Sequence, residues 1–72
     1  MTILVALLDE GTDVWYPVEA KLLDAETYII TGINPNPDDV HWRFGTGTKV
    51  RCEVRTMADG KRELVAVEEL SN

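Results

Sequence analysis

A chain of 72 residues has room for one domain and one modest core, and folding hides only about 60% of the surface that the unfolded form exposes. An apolar content of 44%, spread along the whole chain, excludes a disordered polar tract. Thirteen acidic residues against seven basic ones give a formal charge of −6, which opposes phosphate neutralisation and argues against nucleic acid as a partner.

Cys52 is the single cysteine, so no internal disulfide can form and no Cys/His cluster is present to hold zinc. No cofactor or metal is expected. Without a staple, a domain of this size relies on packing or on a partner subunit, which keeps a homo-oligomer open. The lone thiol fits a reducing, cytoplasmic compartment.

In chain order, alternation of period two recurs and sustained helical spacing does not. The apolar run Ile3–Leu8 has no basic residue before it, and Asp9 and Glu10 follow at once. It is therefore expected to be a strand rather than a signal peptide or a membrane span. Asp9-Glu10-Gly11-Thr12-Asp13 supplies turn chemistry. A second strand over Val14–Leu23 places Val14, Tyr16, Val18, Ala20 and Leu22 on one face and Trp15, Pro17, Glu19 and Lys21 on the other. Pro17 cannot donate to a ladder, so this strand is expected to lie at an edge or to bend there. Glu19–Glu26 has enough Ala and Leu for a turn or two of helix, but the alternation leading into it favours strand.

Thr27–Ile33 is β-branched and aromatic, a third strand. Asn34-Pro35-Asn36-Pro37-Asp38-Asp39 is a loop, since two prolines remove two donors and disfavour helix in the residues before them. After His41-Trp42-Arg43-Phe44 and the Gly45-Thr46-Gly47 turn comes a strand with Val50, Cys52 and Val54 on one face. Lys49, Arg51, Glu53 and Arg55 take the other. A hairpin through Met57–Lys61 returns the chain to Glu63–Leu70. Two registers compete. A two-residue Asp59-Gly60 loop sets Val54 opposite Val65, Cys52 opposite Val67 and Arg51 opposite Glu68. A three-residue Ala58-Asp59-Gly60 loop sets Arg55 opposite Glu63 and Val54 opposite Leu64. The shorter loop is preferred, because it keeps Val65 and Val67 on the apolar face. Five short strands joined by turns predict an all-β fold, a small five-stranded barrel spanning residues 1–72 as one domain.

Gly11-Thr12-Asp13-Val14-Trp15-Tyr16-Pro17-Val18-Glu19-Ala20, Tyr28-Ile29-Ile30, Trp42-Arg43-Phe44 and Gly47-Thr48-Lys49-Val50-Arg51-Cys52-Glu53 resemble a group of small uncharacterised bacterial proteins. The resemblance implies a stand-alone SH3-like barrel. The stretch Val14–Ala20 is similar to the opening strand of Tudor-type modules. The SH3-like class includes binders of proline-rich peptides, methylated side chains, ribosomal RNA and protein partners, so it names a shape and leaves the ligand open.

The candidate binding residues are Trp15, Asp38, Asp39, Trp42 and Phe44. Trp15 and Tyr16 alternate, so one of them faces outward, and Trp42 and Phe44 share a face. An exposed indole beside Asp38 and Asp39 suits a cation or a peptide. The competing expectation is that these rings fill or cover the small core. Lys49, Arg51 and Arg55 form a stripe that could meet phosphate, but Glu53 interrupts it and a cross-strand Glu68 or Glu63 neutralises part of it. The carboxylates of Asp9, Glu10 and Asp13, and of Asp38 and Asp39, lack calcium-loop spacing. No nucleophile motif accompanies His41, and Cys52 faces inward, where burial disfavours the thiolate. The residues therefore favour a protein- or peptide-binding module over an enzyme. RNA or ribosome association, and a homo-oligomeric enzyme with its site on a symmetry axis, stand as alternatives.

Overall fold

The computed structural model describes residues 1–8 and 14–70, so the expected turn at Asp9–Asp13 and its carboxylates lie outside the described residues. Five strands follow one another: β1 (Thr2–Ala6), β2 (Trp15–Asp24), β3 (Thr27–Ile30), β4 (Lys49–Thr56) and β5 (Arg62–Glu69). Each pairs antiparallel with the next, and β5 returns to β1 in parallel through Leu4 and Val65, closing the sheet into a ring. The described residues contain no helix, and Glu19–Asp24, where a helical turn was weighed, is strand.

The long β2 makes the closure possible. Its first half, Trp15–Glu19, pairs with β1, and its second half, from Ala20, pairs with β3. Pro17 sits in the first half, opposite Leu4. Leu7 N–H donates to Val14 O at 3.0 Å and Ala20 N–H to Met1 O at 2.8 Å, which fixes the alternation of this ladder. Position 17 then falls between hydrogen-bonded pairs, so the donor that proline lacks is one β1 never needed.

The inward faces supply the core: Ile3 and Val5 from β1, Val18 and Ala20 from β2, Tyr28 and Ile30 from β3, Val50 and Cys52 from β4, and Ala66 from β5. Residues 31–48 add Phe44. Gly32 lets this excursion leave β3 close to β2, where a Cβ would stand 3.0 Å from Glu19 N. Thr31 and Gly32 N–H both donate to Glu19 O. Asn34 closes the proline loop, its amide donating to Val40 O while its Oδ1 accepts from Asn36 N–H at 2.9 Å. The chain then lies along the end of β1, with Leu8 N–H donating to His41 O, Leu7 bridged to Trp42 and Arg43 N–H donating to Ala6 O.

The hairpin corrects the preferred register. Its loop has three residues: Met57 N–H donates to Lys61 O at 2.7 Å and Gly60 holds φ at 86°. Arg55 faces Glu63, Val54 faces Leu64, Glu53 faces Val65 and Cys52 faces Ala66. A bulge between Arg51 and Cys52 then absorbs one residue of β5, and Arg51 meets Glu68, the pairing expected from the shorter loop. The preference for the short loop assumed one unbroken register. The bulge removes that constraint and brings Ala66, instead of Val67, to the core. Val65 is nonetheless fully buried, outside the inward cluster, in register with Leu4 and Glu53.

Candidate functional site

Trp15 and Tyr16 are parted by the pleat. Tyr16, in register with Val5, packs against the core, and its ring lies 5.8 Å from that of Trp42, tilted by 40°. Trp42 also packs against the core, and its Nε1 is buried without a hydrogen-bond partner among the described residues. Phe44 is only 5% exposed, and the Arg43 guanidinium lies 5.1 Å from its ring centroid. Trp42 and Phe44 thus turn to the same side, and that side is the interior.

Trp15 stands opposite Ala6, on the face of β1 and β2 turned away from Val5 and Tyr16. Half-buried, it lines a pocket of about 320 Å³ together with Arg55, Thr56, Met57 and Ala58. Successive strand residues point to opposite faces, so a pocket touching four in a row meets β4 along its edge and into the turn. No residue of β5 is in the described wall. Trp42 is not in the wall of this pocket.

Asp38 and Asp39 are exposed in the turn that Asn36 organises, where Asn36 O accepts from Asp39 N–H and the Asn36 amide donates to the Asp39 carboxylate at 3.3 Å. They are not part of the wall around Trp15. No cluster of three or more His, Cys, Asp or Glu among the described residues is arranged to hold a metal ion.

The basic stripe is largely engaged. Arg51 Nε donates to Glu68 at 2.7 Å and its Nη1 lies 3.4 Å from Glu53, while Arg55 lies 3.3 Å from the same Glu53. Hydrogen bonds from Arg51 and then Arg55 hold the Glu53 carboxyl below its ordinary range. Cys52 is 2% exposed, and burial pushes its thiol up to about 11, which removes it as a nucleophile near neutral pH. The described residues contain no helix long and apolar enough to cross a membrane.

Of the pocket partners, Arg55 was marked only as part of the basic stripe, and Thr56, Met57 and Ala58 went unmarked by the sequence as a site. Their chemistry is ordinary for a hairpin.

Comparison with protein-family models, with curated proteins and with solved structures finds no match to this chain.

Proposed function

We propose that the chain is an interaction module of the SH3-like kind that holds an extended peptide segment of a protein partner, with Trp15 as its apolar anchor. The observation that carries this reading is the pocket in which a half-buried indole faces the edge of β4 and the hairpin turn. Pockets of this kind, with one aromatic and a few polar groups on a rigid strand scaffold, suit a side chain of a bound peptide. The engaged state of Arg51 and Arg55 and the charge of −6 favour a protein partner over nucleic acid.

The test uses Trp42→Phe, which leaves Trp15 as the only indole, and titrates its fluorescence against an array of short peptides. The reading expects saturable emission changes with a subset of peptides and their capture lost in Trp15→Ala, with the fold retained. If Trp15→Ala captures the same peptides equally well, the pocket is not the site.

A further inference from the structure

Among the described residues, the edge of β4 that faces β3 is used for only half its length. Ile30 N–H donates to Thr48 O at 3.0 Å, and Cys52 N–H donates to Glu26 O at 2.9 Å. Antiparallel ladders alternate, so residues 48, 50 and 52 turn their donors and acceptors to β3, and the next to point that way are Val54 and Thr56. Glu53 and Arg55 between them turn to β5, as the Met57–Lys61 bond fixes. β3 has no residue left to continue, because the chain reverses at Ala25 and Glu26, with Asp24 opposite Thr27. The N–H and C=O of Val54 and Thr56 therefore face a lane that no described strand fills, and the Val54 side chain is 54% exposed. Thr56 belongs both to this lane and to the wall of the Trp15 pocket.

We propose that this lane takes an extended, positively charged peptide as an added strand beside β4, in line with the end of β3. The proposal rests on the reading of the Trp15 pocket as a peptide site and says how the peptide is gripped. Val54 and Thr56 exchange main-chain hydrogen bonds with it, and one of its side chains enters the pocket. Charge selects the occupant. Asp24 and Glu26 stand exposed where the lane begins, Arg55 is engaged by Glu53, and the whole chain carries −6.

A second copy of the chain fits less well. Two-fold pairing about Val54 sets Thr56 opposite Cys52 of the other copy, whose N–H is already held by Glu26. Two-fold pairing about Arg55 sets two guanidiniums face to face.

The experiment is residue-resolved amide exchange on the full chain, with and without a short peptide of alternating valine and lysine blocked at both ends. Binding should slow exchange at Val54 and Thr56 by about tenfold or more, and exchanging lysine for glutamate should weaken affinity by about tenfold. N-methylation of alternate peptide amides should abolish that protection. Two outcomes separate the proposal from the reading beneath it. Binding that ignores N-methylation, leaves Val54 and Thr56 unchanged and is lost in Trp15→Ala overturns strand addition and keeps the pocket. Protection of Val54 and Thr56 that survives Trp15→Ala supports the lane and removes the pocket. Absence of binding overturns the proposal, and so does protection that grows with protein concentration alone, which would make a second copy the occupant.

Discussion

Trp15 and Trp42 are the two largest side chains in the sequence, and the structure gives them different work. Trp42 packs against Tyr16 and the core, so Trp42→Ala is expected to cost about 3 kcal/mol. Trp15 lies outside the core cluster, and Trp15→Ala is expected to cost about 1 kcal/mol or less, both read from urea unfolding curves. Ala25 holds φ at 35°, in the left-handed region that favours glycine. Ala25→Gly is expected to stabilise by about 0.5 kcal/mol, the left-handed penalty relieved less the added chain entropy. Cys52 makes a pH prediction. Its thiol stays protonated in the folded chain up to about 11 but ionises near its ordinary value when unfolded. The folded chain thus binds more protons between those values, so this contribution is complete below about pH 8.5 and lost as pH rises through the window, by up to about 1.4 kcal/mol per pH unit. Cys52→Ala should flatten that fall, and the native thiol should react slowly with a thiol reagent at pH 8.

At the scale of elements, what the sequence disclosed followed from how locally each feature is determined. The five strands were legible because alternation is a property of consecutive residues, as in Val50, Cys52 and Val54. The place of Pro17 was not legible: its missing N–H led to the expectation of an edge or a bend, whereas β2 pairs with both β1 and β3 and Pro17 falls between hydrogen-bonded pairs. Nor was the hairpin register, since the bulge at Arg51/Cys52 arises from Ala66 reaching the core and Leu4 meeting Val65, contacts with a strand at the other end of the chain. The candidate site was half legible for the same reason. Trp15 stood out as an aromatic beside a turn, but its pocket partners come from the end of β4 and the turn after it, some forty residues further along the chain. Asp38 and Asp39 looked like neighbours of Trp42 in sequence, yet their turn is organised by Asn34 and Asn36. The close passage at Gly32 yields a test of this level. Gly32→Ala presses a methyl onto Glu19 backbone and is expected to destabilise by about 1–3 kcal/mol, read as a lowered midpoint in urea.

For the whole molecule, the ring is closed unevenly. β4 and β5 run together along their full length, whereas β1 and β5 share one registered pair, Leu4 with Val65. A fully buried valine at that seam does more than fill space, because it fastens the last strand to the first. Val65→Ala is expected to cost about 2 kcal/mol and to speed amide exchange in β1 ahead of β3.

Amide exchange along β4 in the free protein tests the architecture most directly, since the ring and its open lane assign every donor a direction. Val50 and Cys52 donate toward β3, and Arg51, Glu53 and Arg55 toward β5, so these five should be protected. Val54 and Thr56 should exchange rapidly between and beside them. Unbroken protection through Thr56, or rapid exchange at Glu53 and Arg55 as well, would contradict the register and with it the site.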